Sequence, residues 1–332
     1  MNKAYIKAIA HYVPSTVIDN ETLSNEFNVW SADSIKRKLG IDKRHIAGNE
    51  TTSDLAIKSA EELFSKYNIT RNDIDFILLC TQSPDYVLPT TACIVQHKLD
   101  IPTTAGALDF NLGCSGYVYG LAIAKGLIQS NIAKNILLIT SETYSKYIHK
   151  QDRANKTIFG DAATSTLIST DGFAEILDFE LGTDGSGYDK LIVKNGGSNH
   201  PDKDGIDNID SFNNITNPNN LYMDGPAIFQ FTSVAVPKLV NSILQKHNLT
   251  IDNLDLTIFH QANSFILEHL RKKIGIPEEK FYIYINEHGN TVSSTIPIAL
   301  EHAYKNNKIN GNILLTGFGV GLSWAACILQ TK

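Results

Sequence analysis

Residues 53–80 read SDLAIKSAEELFSKYNITRNDIDFILLC, and residues 233–260 read SVAVPKLVNSILQKHNLTIDNLDLTIFH. Each stretch begins with apolar residues at helical spacing, passes through an Asn-[Ile/Leu]-Thr turn and an [Ile/Leu]-Asp pair, and ends in a short apolar strand. The first strand ends at Cys80 and the second at His260. The match predicts that one helix–strand unit occurs twice in the chain.

The correspondence continues, in the same order, along most of the chain. The matched segments are GALDF (106–110) with FYIYI (281–285), NLGC (111–114) with NEHGN (286–290), ILLIT (136–140) with ILLTG (313–317), and GDAATSTLI (160–168) with GLSWAACIL (321–329). Strands that are apolar at every position suit sheets covered on both faces. The sequence therefore predicts an internally duplicated α/β fold with halves 1–170 and 171–332.

Composition narrows the class of protein. The chain has 332 residues, 42% of them hydrophobic and 19% charged, with a net charge of −6. These values are typical of a folded globular protein rather than a disordered chain or a membrane bundle. No Lys/Arg cluster stands out, so we expect no nucleic-acid partner. The four cysteines form no CxxC pair, so we expect neither a metal site nor a disulfide framework.

Two apolar segments bear on location. The opening MNKAYIKAIAHYVP has too short an apolar stretch for a signal peptide. The uncharged run 313–329 approaches the length of a membrane span, but its central glycines favour a strand, a turn and a second strand in a buried sheet. We therefore expect a cytoplasmic protein with reduced thiols and no membrane contact.

A polar segment interrupts the duplicated pattern. Residues 195–220, NGGSNHPDKDGIDNIDSFNNITNPNN, are rich in the residues typical of surface loops. Two interpretations remain open: an inert insertion, or a flap beside the substrate entrance.

Cys114 is the candidate nucleophile. It lies in DFNLGCSGYVYGLAIAKGLI, between an apolar strand that ends at Phe110 and a helix that begins near Ser115. Free backbone N–H groups and the helix dipole at such a turn favour a thiolate. The other cysteines lie within apolar segments and are interpreted as small core residues.

His260 and Asn290 are the candidate partners of Cys114. His260 ends a strand, where functional groups of α/β sheets gather. Asn290 follows a glycine in the turn that corresponds to the Cys114 turn, so both turns are predicted to face one crevice between the halves. A capping role would explain either residue locally.

The glycine-rich GFGVG (317–321) is not a dinucleotide-binding turn. Its spacing differs from GxGxxG, it leads into a strand, and too little chain follows for an acidic ribose ligand. A tight turn that offers backbone N–H groups to an oxyanion fits better.

Together these residues resemble the ketoacyl-acyl-carrier-protein synthase III family of thiolase-fold condensing enzymes. The motifs, spread over nearly the whole chain, are SPDYVLPTTACIVQ (83–96), DFNLGCSG (109–116), the DR of 152–153, FGDAA (159–163), MDGPAIFQF (223–231), HQAN (260–263), HGNTVSSTIP (288–297) and GFGVGLSWA (317–325). The resemblance implies a thiolase-like fold with αβαβα layers and two mixed five-stranded sheets. It also implies a catalytic Cys114, His260 and Asn290.

The resemblance further implies decarboxylative Claisen condensation. Cys114 is expected to take an acyl group from a CoA or carrier-protein thioester, with the backbone N–H groups of Cys114 and Val320 stabilising the oxyanion. His260 and Asn290 would then stabilise the enolate formed as a malonyl thioester loses CO2, without a metal or other cofactor. Phe318 resembles the aromatic residue that shields this site from water.

Neighbouring families of the same fold differ at two positions. Thiolases carry a second cysteine where this chain has Gly317, and hydroxymethylglutaryl-CoA synthases carry a glutamate base where it has Gln82. Both differences favour decarboxylation over proton abstraction.

The substrate contacts implied by the family are partly changed. Ser34 and Lys38 replace a Trp and an Arg that grip the CoA nucleotide, and Phe265 replaces an Arg that contacts the carrier protein, whereas Arg153 is kept. Lys272 and Lys273 are expected to substitute in carrier binding. Leu88 matches a residue that closes the partner subunit's acyl pocket, so a homodimer is implied.

Three functions remain open at this level. The leading one is condensation of an acyl primer with a malonyl thioester, in fatty-acid initiation or in a dedicated secondary-metabolite or glycan pathway. The second is a same-fold acyltransferase that moves an acyl group to an alcohol or amine. The third is a non-catalytic partner subunit, which the intact Cys114 disfavours.

Overall fold

Strands and helices alternate along the chain as the duplicated pattern predicts. The computed structural model describes residues 2–28, 30–210 and 214–331. The strands are β1 (Tyr5–Tyr12), β2 (Thr16–Asp19), β3 (Lys43–Ile46), β4 (Phe76–Cys80), β5 (Gly106–Phe110), β6 (Ile136–Glu142), β7 (Ala162–Ser169), β8 (Ala174–Thr183), β9 (Leu191–Ile192), β10 (Asn208–Ile209), β11 (Ile215–Thr216), β12 (Tyr222–Met223), β13 (Leu256–Phe259), β14 (Asn312–Gly319) and β15 (Ser323–Thr331). The α-helices are α1 (Asn20–Phe27), α2 (Ala32–Leu39), α3 (Thr52–Tyr67), α4 (Thr91–Lys98), α5 (Gly116–Gln129), α6 (Arg153–Lys156), α7 (Gly225–Lys246), α8 (Ser264–Ile274) and α9 (Thr295–Lys305).

A mixed sheet forms the framework. Within the described residues it contains nine strands in the order β13-β14-β15-β8-β1-β7-β6-β4-β5. The strands before residue 170 occupy one side and the later strands the other, joined by only two residue pairs, Tyr5 with Glu175 and Ile6 with Ala174. The prediction of two mixed five-stranded sheets is therefore corrected, within the described residues, to one sheet in which five strands of the first part and four of the second share a narrow hydrogen-bonded seam. The division at residue 170 itself stays a prediction.

The second half lacks one of the expected strands. Residues 281–285, FYIYI, form a single bridge between Phe281 and Thr257 instead of a strand. The Tyr284 N–H donates to the Gln261 side chain at 2.8 Å, in place of a neighbouring strand's carbonyl. A side chain thus accepts the backbone hydrogen bond of this segment, whereas in the first half the neighbouring strand β4 pairs with the corresponding strand β5.

Three apolar clusters define the layers. Ile77 and Leu79 of β4 face α3 in one cluster, whereas Leu78 faces the opposite side of the sheet, as strand alternation requires. Helices α5 and α9 share a central cluster with residues from both halves. Helices α7 and α8 pack on the outer face of β14 and β15. The order helix, sheet, helix, sheet, helix matches the predicted αβαβα layers.

Two long apolar segments belong to this core. The run 313–329 forms β14, a turn and β15, as predicted. Helix α7 is long and apolar enough, by length and composition, to cross a membrane. Its buried side chains, among them Val236, Val240 and Ile243, pack in the outer apolar cluster, as expected of a core helix.

Candidate active site

A cavity of about 410 Å³ brings the three candidate residues together. Cys114, His260 and Asn290 all line it, and Phe318 forms part of its wall. Most of its remaining lining is apolar: Ile158, Phe159, Leu191, Met223, Pro226, Ile228, Phe229, Ala262, Phe265 and Ile266. The prediction that both turns face one crevice between the halves is confirmed.

The Cys114 turn is held by the C-terminal strand. Helix α5 begins two residues after Cys114, and β14 crosses directly over the turn. A Cβ on Gly319 would lie 3.1 Å from the Cys114 Sγ, and one on Gly317 would lie 2.8 Å from the Cys114 carbonyl oxygen. Glycine at both positions is what lets the strand approach the nucleophile this closely.

Cys114 is a protonated thiol at rest. Burial raises its pKa to about 12, and the nearby Glu142 carboxylate adds to the rise. Desolvation of the charged form therefore opposes the thiolate that the helix N-terminus favours. Attack by this residue requires a base to receive its proton.

His260 lines the same cavity as Cys114. It follows β13, and its backbone N–H donates to the Thr316 carbonyl at 2.8 Å. Burial lowers its pKa to about 3, so the imidazole is neutral at physiological pH. Its Nδ1 lies 2.7 Å from the Thr295 hydroxyl, and the Phe318 ring packs edge-on at 5.6 Å between ring centres.

Asn290 is held by its backbone and by its side-chain oxygen. Its N–H donates to the Ile158 carbonyl at 2.9 Å, and its carbonyl accepts from the Gly160 N–H at 3.0 Å. Its Oδ1 accepts from the Val292 N–H, which leaves Nδ2 facing the His260 Nε2 at 3.5 Å. The amide is therefore fixed with its donor side toward the cavity.

The Asn290 turn also requires a glycine. Gly289 has a φ of +67°, and a Cβ there would lie 2.7 Å from the Ile158 carbonyl oxygen. Only glycine meets both conditions without strain. The turn is thus built for close contact between two chain segments rather than for a simple helix cap.

Two residues near the site were missed at the sequence level. Glu142, fully buried at the end of β6, accepts hydrogen bonds from the Gln82 N–H and the Ser83 hydroxyl. Burial raises its pKa to about 8. Thr295, which contacts His260, begins α9. The strand-end rule that singled out His260 applies equally to Glu142.

The remaining predicted residues lie outside the main cavity. Val320 lines a second cavity behind Cys114. Lys38 and Lys272 line a surface depression that shares Asn263 and Phe265 with the main cavity, while Lys273 is exposed nearby. Leu88 is 80% exposed.

Arg153 borders the long polar segment. Its Nε donates to the Asn214 side chain at 3.1 Å, and its guanidinium lies 5.6 Å from the Trp30 ring centre. Residues 211–213 of the predicted loop 195–220 lie outside the described residues. The rest contains the β10–β11 hairpin and borders the second cavity, not the one that holds His260.

A duplicated α/β chain with a buried cysteine, histidine and asparagine around one cavity is a thiolase-fold condensing enzyme. Residues 108–185 match the family model described as 3-oxoacyl-[acyl-carrier-protein (ACP)] synthase III, and residues 244–331 match the model of its C-terminal part. The chain belongs to the 3-oxoacyl-[acyl-carrier-protein] synthase III family.

Individual relatives agree over the full length. The chain is 37% identical over 333 residues to the beta-ketoacyl-[acyl-carrier-protein] synthase III of Clostridium perfringens, covering 99% of this chain and 100% of that protein. A crystal structure of a 3-oxoacyl-(acyl-carrier-protein) synthase III is 44% identical, with a TM-score of 0.96 and 99% of each chain covered. The corresponding synthase of Burkholderia xenovorans is 36% identical, with a TM-score of 0.91 and coverage of 99% and 94%.

Proposed function

We propose that this enzyme condenses an acyl primer, carried on Cys114, with a malonyl thioester and releases CO2 and a 3-ketoacyl thioester. The observation that carries the proposal is the meeting of Cys114, His260 and Asn290 in one largely apolar cavity of a synthase III family member. The reaction falls into two steps that use these residues differently.

In the first step Cys114 is acylated. Its sulfur attacks the primer thioester, a new S–C bond forms, and the bond to the leaving sulfur breaks. The proton passes from the Cys114 Sγ to the His260 Nε2 and on to the leaving thiolate. The backbone N–H groups of Cys114 and Val320 are proposed to hold the oxyanion, and such a donor is typically worth about 3 kcal/mol.

In the second step the malonyl thioester loses CO2. The electron pair of the broken C–C bond forms an enolate, whose oxygen accepts from the Asn290 Nδ2 and the His260 Nε2. The carbanion attacks the acyl-Cys114 carbonyl, and the released Cys114 thiolate takes up a proton from water. A cavity that excludes water protects the carbanion, and Phe318, packed against His260, is proposed to contribute to that shielding.

Thr295 lets His260 serve both steps. Its hydroxyl donates to the Val292 carbonyl at 3.1 Å and accepts from an Nδ1–H when Nε2 must be a base. It turns from Val292 and donates to a bare Nδ1 when Nε2 must carry the proton. Because the donors are neutral side chains and backbone N–H groups, we expect the reaction to need no metal or other cofactor. Among the described residues, no group of three or more His, Cys, Asp or Glu is arranged to hold a metal ion.

The thioester carriers are proposed to dock on the basic side of the main cavity. Phe265 is 64% exposed at its edge, beside the depression that contains Lys38 and Lys272. Acyl carrier protein is acidic, so Lys272 and Lys273 would attract it. We expect Lys272→Glu and Lys273→Glu to weaken carrier binding, measured by titration. Unchanged affinity would contradict this role.

Arg153 is proposed to contact the nucleotide of a CoA thioester. It stands beside Trp30, an aromatic side chain that suits stacking on a base. A separate assay of Arg153→Ala with CoA and carrier-protein thioesters tests this role, since only the CoA reaction should slow.

A homodimer and a cytoplasmic location complete the proposal. Tyr86, Val87 and Leu88 form an exposed apolar segment, and β5 is an edge strand of the sheet. Exposed apolar residues beside an unpaired edge suit pairing with a second copy. Light scattering after gel filtration, on the protein and on a Leu88→Asp variant, measures the subunit number directly.

The function is tested with a malonyl thioester labelled on its free carboxyl. Wild type and Cys114→Ala are compared, with and without a panel of acyl-CoA primers. CO2 release that requires both a primer and Cys114, together with a 3-ketoacyl product, supports condensation. Acylation of Cys114 without CO2 release would instead indicate acyl transfer to an alcohol or amine.

A further inference from the structure

Arg44 is a buried cation beside the Asn290 turn. It lies in β3 with none of its surface exposed, and burial lowers its pKa to about 10, so it stays charged at physiological pH. Within the described residues its hydrogen bonds go to neutral acceptors, the Thr157 carbonyl and the Asn20 side chain. Burying a charge among neutral partners is costly.

The guanidinium of Arg44 holds the segment 157–160, which follows α6. Its Nε and Nη2 both donate to the Thr157 carbonyl oxygen, at 3.0 and 2.5 Å. Two N–H groups from one planar fork fix both the position and the direction of that carbonyl. A lysine ammonium on its flexible stem is a point charge without such a fork, so it would hold the carbonyl less rigidly.

The segment 157–160 in turn holds the backbone of Asn290. The Asn290 N–H donates to the Ile158 carbonyl at 2.9 Å, and the Asn290 carbonyl accepts from the Gly160 N–H at 3.0 Å. These two bonds begin one residue beyond the carbonyl that Arg44 holds. A shift of that carbonyl would therefore displace the backbone of Asn290.

The aliphatic stem of Arg44 packs against the same turn. A Cβ on Gly289 would lie 3.2 Å from the Arg44 Cγ, and one on Gly160 would lie 3.4 Å from the Arg44 Cβ. The Arg44 Nη1 donates to the Asn20 Oδ1 at 2.7 Å, and the Asn20 Nδ2 donates to the Ile41 carbonyl at 2.7 Å. The side chain is thus fixed at its head group while its stem lies between the two segments that meet in the turn.

We propose that Arg44 is a positioning residue for Asn290, holding its amide where it meets the enolate oxygen in the decarboxylation step. This inference rests on the proposed function and adds to it a residue outside the lining of the main cavity. The Asn290 Nδ2 stands 3.5 Å from the His260 Nε2, and both donors must reach one oxygen. A small displacement of Asn290 would separate them and slow the step.

The test measures Cys114 acylation and CO2 release separately in Arg44→Lys. This variant keeps a cation and most of the aliphatic stem but loses the fork on the Thr157 carbonyl. CO2 release should fall about tenfold, the effect of misplacing one donor. Acylation should stay within about twofold of wild type, because that step does not use Asn290. Arg44→Met, which also removes the charge, should act in the same direction.

Combination with Asn290→Ala separates positioning from general loosening of the fold. In the Asn290→Ala background, Arg44→Lys should lower CO2 release no further, because the group that it positions is gone. Ser59→Ala is the matched control: it removes a buried hydroxyl that lies 2.7 Å from the Ser165 hydroxyl, between α3 and β7. It should leave the ratio of the two rates unchanged.

Three results overturn the inference. They are equal losses of acylation and CO2 release in Arg44→Lys, an undiminished rate of CO2 release, and a second loss of the same size in the Asn290→Ala background. Failure of the condensation itself is distinguishable, because it would appear as absence of primer-dependent CO2 release in the wild type.

Discussion

Cys80 and His260 occupy the same place in the two halves, each at the end of a matched strand, yet their surroundings differ completely. The Cys80 sulfur is sealed in the core, where it donates to the Leu112 carbonyl at 3.0 Å and burial raises its pKa. His260 faces the main cavity and contacts Thr295. A residue at this strand end can therefore take part in the chemistry only where a cavity lies beside it, as at His260.

The two turns show the complementary difference. In the first half the turn carries the thiol of Cys114, pressed between the start of α5 and the glycines of β14. In the second half the turn carries Asn290, whose side-chain amide is fixed by Val292 and whose backbone pairs with Phe159. One duplicated scaffold thus supplies a nucleophile from one half and hydrogen-bond donors from the other.

Removing a donor from the second half should separate the two steps. Asn290→Ala is expected to lower CO2 release by about 100-fold, as for the loss of one donor to an oxyanion. It should leave Cys114 acylation nearly unchanged, because acylation uses the base His260 instead. His260→Ala, the comparison variant, should slow both steps. Parallel mass-spectrometric and CO2 assays check this; equal losses in both for Asn290→Ala would contradict the division of labour.

Glu142 makes the first half sensitive to pH. Its native pKa of about 8 lies above the ordinary value of 4.5, so its contribution to stability is complete below pH 4.5 and is lost as the pH rises through about 8. Glu142→Gln should remove this loss, on the order of a few kcal/mol between pH 5 and 8. Denaturant unfolding of both proteins at the two pH values measures the difference.

The same substitution has a chemical readout. Without the neighbouring carboxylate, the pKa of Cys114 should fall and its alkylation by iodoacetamide at alkaline pH should quicken severalfold. An unchanged alkylation rate would show that Glu142 does not act on the nucleophile.

A methyl group added to β14 where this strand crosses the Cys114 turn should destabilise the protein. Gly317→Ala would bring a Cβ within 2.7 Å of the Ser115 Cα, and relief of that contact should cost about 1–3 kcal/mol and slow acylation. Gly126→Ala is the control, because that glycine lies within α5 and, apart from the backbone of its own helix, no described atom lies within 4 Å of the added Cβ. It should be neutral or stabilising by about 0.5–1 kcal/mol. Thermal unfolding of both variants provides the measurement.

The smallest effect is expected at Cys80, the strand end that faces the core instead of the main cavity. Cys80→Ala should leave CO2 release within about twofold of wild type and cost about 1 kcal/mol of stability, the effect of removing one small buried group. Loss of activity comparable to that of Cys114→Ala would mean that the first strand end takes part in the chemistry after all.

Local hydrophobic patterns in the sequence predicted much of this fold. Helix and strand periodicities predicted α3, β4, α7 and β13 as a repeated unit, and the pairing of turns predicted that Cys114 and Asn290 share a crevice. The strand predicted over residues 281–285 failed because the Gln261 side chain, distant in sequence, replaces a strand partner. Hydrophobic pattern does not report which group satisfies a backbone N–H.

The sequence by itself determined the duplication and the order of the elements, because both rest on patterns within short segments. Its motifs also resemble the condensing-enzyme family, and strand ends and turns singled out the three residues around the main cavity. Only the tertiary structure decided the protonation of the site. The pKa of Cys114 depends on its burial and on Glu142, and that of His260 on its enclosure within the core. The hydrogen bonds that join Gln82 to Asn111 and to Tyr144 likewise form only where three strand ends meet. Burial and charge act through space, so they become visible only when distant segments are brought into contact.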